Sequence, residues 1–107
     1  MTRKPNTKYL YQPPQLARNI IDLIKSELSI QELAGEFTDL HRGSGRLRGT
    51  CPFCDANGGS FSVFTDSQSF YCESCMKEGD VFEFIMAIDG VTFRDAFKII
   101  LSRYCGL

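Results

Sequence analysis

The sequence predicts a small α+β fold in which an antiparallel β-sheet is flanked by short helices at both ends. Three observations predict it: two cysteine pairs in the middle of the chain, alternating polar and apolar stretches beside them, and amphipathic segments with helix-capping residues on either side. With 107 residues, of which 43% are hydrophobic, the chain has room for one small domain with a marginal apolar core.

The cysteines predict a metal site. They form two C-x-x-C pairs, Cys51 with Cys54 and Cys72 with Cys75, separated by seventeen residues. Zn²⁺ binds four thiolates tetrahedrally, and a β-hairpin can bring the second pair to the first, so the layout is that of a zinc ribbon. Two disulfides or four unrelated core residues are the alternatives. Four thiolates leave no open coordination position, so we expect one structural Zn²⁺.

Helices are predicted on both sides of the cysteines. One begins near Pro14 and continues at helical spacing towards Leu28, and a second begins at the capping sequence 29–32 and extends to about residue 37. Capping sequences at 80–83 and 92–95 predict two more helices after the second cysteine pair. Residues 1–13 are polar and contain prolines, so we expect a flexible arm followed by a single domain over residues 14–107.

The segment between the cysteine pairs predicts a β-hairpin. Residues 60–65 alternate as a strand, 66–68 supply turn residues, and 69–72 return as a second strand, while 55–59 have turn chemistry. Residues 46–50 also alternate and predict an edge strand beside the first cysteine pair. Phe61 and Phe64 fall on opposite faces by the two-residue period, although a half-exposed sheet needs only one apolar face.

Charge is unevenly distributed along the chain. The net charge is −1, but residues 1–50 contain eight Lys and Arg against five Asp and Glu, and residues 51–107 contain four against eight. Residues 41–49 include Arg42, Arg46 and Arg48 and no acidic residue. This basic segment predicts weak, salt-sensitive contact with a polyanion, with a solvated flexible loop as the alternative.

Several motifs occur together in one order: a helix, the Gly-Ser-Gly loop at 43–45, the sequence GTCPFC at 49–54, the strand 60–63, the hairpin into FYCESC at 70–75, and Gly79-Asp80 before a helix. In order and spacing, residues 29–104 resemble the CHC2 zinc-binding domain of bacterial and phage DNA primases. Histidine is the usual second ligand in that family, whereas this chain has Cys54. Phage primases resemble this chain in having four cysteines.

The resemblance implies a module that reads the initiation sequence on a single-stranded DNA template while another domain joins nucleotides. Bases would stack on aromatic rings, short polar side chains would contact base edges, and basic side chains would hold phosphates. We expect at least half of the aromatic candidates to be core residues instead, because the domain is small. The candidates are Phe61, Phe64, Phe70 and Tyr71 for stacking, Asp66 and Gln68 for base edges, and Arg42, Arg46, Arg48 and Lys77 for the backbone.

Catalysis is not expected of this chain. Its carboxylates fall at predicted caps and turns with no strand-borne pair for two Mg²⁺ ions, and no GxxxxGK[ST] loop occurs. Primases of the family that this chain resembles have a separate catalytic domain. A polymerising domain or subunit is therefore the expected partner, and a helicase is a further one. Whether the chain acts as a separate subunit or as part of a longer primase stays open.

Two other functions compete with template binding. One is a zinc-stabilised adaptor that docks a polymerase or helicase, and the other is a regulator of the zinc-ribbon type that binds duplex DNA. The latter needs a basic recognition helix, which the sequence does not show. The N-terminus has no apolar signal-peptide core and no segment is long enough to span a bilayer, so we expect the cytoplasm, in association with the nucleoid, and no membrane contact.

Overall fold

The computed structural model describes residues 15–54 and 60–106. The predicted N-terminal arm and the turn at 55–59 lie outside these residues. In the described part, an antiparallel five-stranded sheet is combined with helices before and after it, which confirms the predicted fold class. In chain order the elements are α1 (Gln15–Glu27), α2 (Ile30–Gly35), β1 (His41–Arg42), β2 (Leu47–Gly49), β3 (Phe61–Phe64), β4 (Ser69–Cys72), β5 (Glu78–Gly79), α3 (Val81–Asp89) and α4 (Phe93–Tyr104).

The sheet is a meander whose spatial order is the chain order, β1 to β5. Its centre is the predicted hairpin of β3 and β4, in which Phe61 lies opposite Cys72 and Val63 lies opposite Phe70. These four residues share one face because alternate residues of a strand point to the same side. Ser62 and Phe64 of β3 therefore lie on the other face, opposite Tyr71 and Ser69 of β4.

The predicted edge strand is wrong in one respect: β2 is an internal strand. His41 and Arg42 form the short strand β1, which pairs with Arg48 and Leu47 on the outer side of β2. The glycine-containing loop between β1 and β2 is therefore a hairpin turn, closed by the hydrogen bond from Gly43 N to Arg46 O at 2.7 Å. The basic segment is thus built into the sheet, and its arginines have fixed positions relative to β3.

The apolar core lies on the sheet face that carries Phe61, Val63 and Phe70. Each of these side chains is at most 2% exposed, and they belong to one cluster with residues of all four helices in the described part. Phe84 of α3 packs against Phe70 with a ring-centroid distance of 5.5 Å. The helices therefore pack on the sheet face that carries the apolar cluster.

Capping residues fix where the helices begin. Ser29 Oγ accepts a hydrogen bond from Glu32 N at 3.2 Å. Asp80 and Glu83 form the predicted capping box, since the Asp80 carboxylate accepts from Glu83 N and the Glu83 carboxylate accepts from Asp80 N. Thr92 Oγ1 accepts from the backbone N–H three residues on at 3.3 Å. All three predicted caps are therefore present, although α2 ends at residue 35, two residues earlier than expected.

One charged contact connects the helices before and after the sheet. Lys25 Nζ of α1 lies 2.9 Å from the carboxylate of Asp80 at the start of α3.

Within residues 15–54 and 60–106, no helix combines the length and the apolar character that crossing a bilayer requires.

Candidate metal centre and nucleic-acid interface

The four predicted ligands meet at one point beside the sheet. Their sulfur atoms all lie within 4.8 Å of one another. Cys51 Sγ is 3.8 Å from Cys75 Sγ, and Cys54 Sγ is 3.7 Å from Cys72 Sγ. A tetrahedral zinc ion with Zn–S bonds of ~2.3 Å places its sulfurs about 3.8 Å apart. The donor set and the spacing therefore fit one structural Zn²⁺, and all four cysteines are free of disulfides.

Two tight turns aim the sulfurs at that point. In the first turn Phe53 N donates to Cys51 Sγ at 3.3 Å, and in the second Cys75 N donates to Cys72 Sγ at 3.5 Å. The second turn is closed by Met76, which adopts a left-handed backbone conformation with φ of 64° and donates from its N–H to Cys72 O at 2.8 Å. Backbone N–H groups directed at sulfur stabilise the thiolate form that a metal requires.

Two of the ligand thiols differ in acidity. Burial raises the pKa of Cys51. Burial also raises the pKa of Cys72, but hydrogen bonds from the backbone of Cys75, from the side chain of Cys51 and from the backbone of Ser74 outweigh it and lower the pKa from 9.0 to about 6. The N–H groups around Cys72 therefore favour the thiolate that a metal requires, whereas burial opposes it at Cys51.

The face of the sheet opposite the core carries polar and aromatic side chains; we call it the open face. One row crosses all five strands, as shown by the strand registers. In order from β1 to β5 it contains His41, Arg48, Ser62, Tyr71 and Glu78. The row therefore has Arg48 towards one edge of the sheet and Glu78 at the other.

Phe64 and Tyr71 lie on the open face and are half-buried. Neither belongs to the core cluster or to the apolar residues packed against it. The Arg46 guanidinium lies 5.9 Å from the centre of the Phe64 ring, which is a cation–π distance. Tyr71 Oη donates to Met76 Sδ at 3.3 Å. The structure thus places two aromatic rings and two arginines, Arg46 and Arg48, on the same side of the sheet.

Two of the four stacking candidates, Phe61 and Phe70, are core residues. They are 0% and 2% exposed, and their rings pack against each other at 5.9 Å in the core. The phase of the strands carried a signal that could have separated these residues from Phe64 and Tyr71. Phe70 is in phase with the metal ligand Cys72, and Phe61 lies opposite that ligand. Both side chains are therefore on the same sheet face as Cys72.

Gln68 holds the hairpin turn in place. Its Oε1 accepts from Ile30 N at 2.8 Å, and its Nε2 donates to Gln31 Oε1 and Thr65 O at 3.0 and 2.8 Å. These contacts occupy both ends of the amide and connect the turn to the start of α2, so the side chain has a structural role. Its neighbour Asp66 is exposed in the same turn.

The basic candidates do not all lie together. Arg42, Arg46 and Arg48 lie on β1, β2 and the turn that joins them. Lys77 precedes β5 at the opposite edge of the sheet, where it is exposed beside Glu78. The arginines therefore form one basic edge, and Lys77 lies apart from it.

Phe53 is a structural residue that the sequence did not single out. It lies between the first two ligands, and its ring contacts those of Phe61, Phe70 and Phe84 at 5.9, 5.4 and 5.1 Å. These edge-on and tilted contacts connect the metal site directly to the core. An aromatic residue inside a C-x-x-C turn was the only available signal.

Comparison with known proteins agrees with this geometry. The CHC2 zinc finger family matches residues 16–105. The DNA primase of Staphylococcus epidermidis is 36% identical over 89 residues, covering 83% of this chain and 15% of the relative. The DNA primase of Enterococcus faecalis is 31% identical over 84 residues, covering 78% of this chain and 13% of the relative. The chain therefore spans only about a seventh of the length of these curated relatives.

A solved structure has the same fold. The crystal structure of the Aquifex aeolicus primase, which comprises zinc-binding and RNA polymerase domains, superposes with a TM-score of 0.71 at 27% sequence identity. The match covers 79% of this chain and 21% of that one. Together with the four-cysteine cluster, these matches show that the chain belongs to the CHC2 zinc finger family, the zinc-binding domain of DNA primases.

Proposed function

We propose that this chain binds single-stranded DNA template across the open face of its sheet and helps to initiate primer synthesis. The observation that carries the proposal is the position of Phe64 and Tyr71. Both rings are half-buried and lie outside the apolar cluster, on the face that carries the side chains of Arg46 and Arg48. Bases of an unpaired strand can stack on such rings, at about 1–3 kcal/mol per base.

Arginine side chains beside the rings supply the electrostatic part of binding. Arg46 lies over Phe64, and Arg48 is in the row that leads to Tyr71. A strand that stacks on these rings brings its phosphates near the guanidinium groups. Since the net charge of the chain is −1, contacts with phosphate are confined to this edge and binding by the module alone is weak and salt-sensitive.

A polymerising partner compensates for weak binding. The relatives named DNA primase are several times longer than this chain, and the Asp80 and Glu83 carboxylates of the described residues form a helix cap. We propose that nucleotide joining takes place in another domain or subunit in the cytoplasm, at the nucleoid, and that a helicase is a further partner. Tethering raises the effective concentration of the template to the millimolar range, where weak contacts give useful occupancy.

Fluorescence anisotropy with labelled oligonucleotides tests the proposal. The zinc-loaded chain is expected to prefer single strands to duplex of the same sequence. The double variant Arg46→Ala, Arg48→Ala is expected to lower the slope of log affinity against log salt by about 1.4, since each phosphate contact on a single strand contributes about 0.7. Tyr71→Ala is expected to weaken binding by about five- to 150-fold with little change in the salt slope.

The matched control is Arg94→Ala, Lys98→Ala, which removes two exposed cations from α4. If this control lowers affinity as much as the open-face variant, binding reflects overall charge and the proposal fails. It also fails if duplex and single strand bind equally well.

A zinc-stabilised adaptor is the second candidate, and a specific surface favours it. A cavity of about 400 Å³ lies between β5 and α3, lined by Met76, Met86 and Val91 together with Glu78 and Glu83. Met76 is 67% exposed, and methionine-rich surfaces adapt to varied partners. Absence of oligonucleotide binding by the chain fused to a primase catalytic domain, combined with loss of the association between separate domains in a Met76→Ser variant, would favour the adaptor.

A further inference from the structure

A second cavity lies at the turn between β1 and β2. Its volume is about 350 Å³, and it is lined by residues 42, 43 and 45–47 of the β1–β2 hairpin together with Gln31 and Thr65. The cavity therefore lies where the basic turn approaches α2 and the end of β3. Gly45 has a φ of 73°, a conformation that glycine adopts without strain and that lets the turn fold back beside the arginines.

The polar side chains of the lining are hydrogen-bond donors of the kind that bind phosphate oxygens. The two guanidinium groups are permanently charged, the Thr65 hydroxyl can donate, and Gln31 accepts from Gln68 through Oε1, which assigns its NH₂ end as a donor. No carboxylate lines the cavity, and among the described residues neither Arg42 nor Arg46 forms an ion pair. The positive charge of the cavity is therefore not neutralised from within the described residues.

Arg46 has a hydrogen-bond donor beside this cavity that no acceptor contacts. Its Nε is shielded from solvent and has no hydrogen-bond partner. A buried donor without a partner costs free energy. The present conformation of Arg46 is therefore less favourable than one in which its guanidinium donates to an acceptor. An anion in the cavity supplies that acceptor, because guanidinium groups bind phosphate through two parallel N–H bonds.

We propose that this cavity is a phosphate-binding site, with Arg42 and Arg46 as its principal ligands. The inference deepens the proposed function and rests on it, because the site would fix one phosphate of the nucleic acid at the β1–β2 edge of the sheet, beside Phe64. The same chemistry fits two sources: a phosphodiester group of the template and the free phosphates of a nucleotide.

Isothermal titration calorimetry and anisotropy distinguish the sources and test the site. The zinc-loaded chain is titrated with pyrophosphate, with ATP, with adenosine, and with a single-stranded oligodeoxynucleotide that has no terminal phosphate. Arg42→Gln and Arg46→Gln are each compared with Arg94→Gln, which removes the same charge from α4. Zinc content and circular dichroism of every variant verify that the fold is retained.

If nucleotide phosphates are the source, pyrophosphate and ATP bind, adenosine does not, and each pocket variant weakens both by about tenfold or more. If a template phosphodiester is the source, each pocket variant lowers the salt slope for the oligonucleotide by about 0.7, and the control does not. Arg46→Lys, which keeps the charge without the two-pronged donor, is expected to recover only part of the loss in either case.

The outcomes separate this proposal from the proposed function. If the oligonucleotide binds but neither pocket variant alters its salt slope, and pyrophosphate does not bind, the phosphate site is refuted while template binding stands. If pyrophosphate binding depends on Arg42 and Arg46 but no oligonucleotide binds, the site is supported and template binding is refuted. Absence of both refutes both.

Discussion

The two faces of the β3–β4 hairpin contrast sharply, although they alternate residue by residue along the same two strands. On the covered face, Phe61 and Phe70 are excluded from solvent and lie next to the metal ligand Cys72. On the open face, Phe64 and Tyr71 are half-buried and outside the core. Residues of one chemical type therefore have different roles according to whether they are in phase with the zinc ligand.

Strand phase thus separates the residues of the core from those of the proposed binding surface. Substitutions on the covered face are expected to alter folding, and substitutions on the open face are expected to alter ligand binding with little effect on folding. A small domain can be divided in this way because the zinc site supplies folding free energy that the apolar core alone does not.

The largest effect is expected from the metal ligands. Cys72→Ser removes a buried thiolate at the junction of the metal site and the core. Because structural zinc contributes on the order of 10 kcal/mol to the folding of small domains, the variant is expected to lose both metal and fold. Elemental analysis and far-ultraviolet circular dichroism measure the two losses.

Cys105→Ser is the matched control, since Cys105 is exposed at the end of α4 and is not part of the cluster. Retention of the native circular dichroism spectrum by metal-free Cys72→Ser would show that the zinc ion does not hold the covered face together.

The next effect compares two phenylalanines in one strand. Phe61→Ala leaves a cavity in the fully buried core and is expected to lower the free energy of unfolding by about 3–5 kcal/mol. Phe64→Ala truncates a half-buried ring on the open face and is expected to cost about 1 kcal/mol or less. Urea denaturation of the zinc-loaded proteins measures both.

Binding should follow the opposite order. Phe64→Ala is expected to weaken single-strand binding, because the stacking ring is lost, under conditions in which Phe61→Ala remains folded and binds normally. Equal destabilisation by the two substitutions would contradict the separation of the faces.

Patterns that are local in sequence predicted much of this molecule. The hairpin, the caps at Ser29, Asp80 and Thr92 and the four-cysteine site depend on residues within a few positions of one another or on the fixed geometry of a metal ion. These features agree with the structure because no distant contact is needed to specify them.

Features that depend on distant contacts were not predictable. Strands β1 and β5 contain two residues each, too few for an alternating pattern. Gln68 looked like a free polar residue of a turn, but its partner Ile30 lies 38 positions away. The two-residue period alone shows only that Phe61 and Phe64 lie on opposite faces, and identifying the covered face requires the pairing of Phe61 with the metal ligand Cys72.

A smaller effect is expected at Gln68, which connects the hairpin turn to α2. Gln68→Ala removes the acceptor of Ile30 N and is expected to lower the free energy of unfolding by about 1–2 kcal/mol, because a partly buried donor loses its partner. Asp66→Ala, in the same turn but exposed, is expected to leave stability nearly unchanged. Reduced single-strand affinity in Gln68→Ala with unchanged stability would reverse this assignment and restore Gln68 as a contact for base edges.

The smallest effect is expected at a hydrogen bond between α4 and the residue that follows α2. Tyr104 Oη of α4 donates to Glu36 Oε1 at 2.9 Å, and burial, followed by the hydrogen bond to Glu36, raises the pKa of Tyr104 above its ordinary 10.0. The folded chain therefore keeps this proton at pH values where the unfolded chain loses it. The stabilisation is fully present below about pH 10 and is lost as the pH rises through the folded-state pKa.

Tyr104→Phe is expected to cost at most about 1 kcal/mol near neutral pH, as for other hydrogen bonds at a partly exposed site. The difference in unfolding free energy between the wild type and this variant should shrink above pH 10, because only the wild type has this proton to lose. Subtracting the tyrosinate absorbance of the variant from that of the wild type gives the titration of Tyr104 alone. A difference that grows with pH would mean that the folded-state pKa is lowered, and the hydrogen bond to Glu36 would not be what connects α4 to the end of α2.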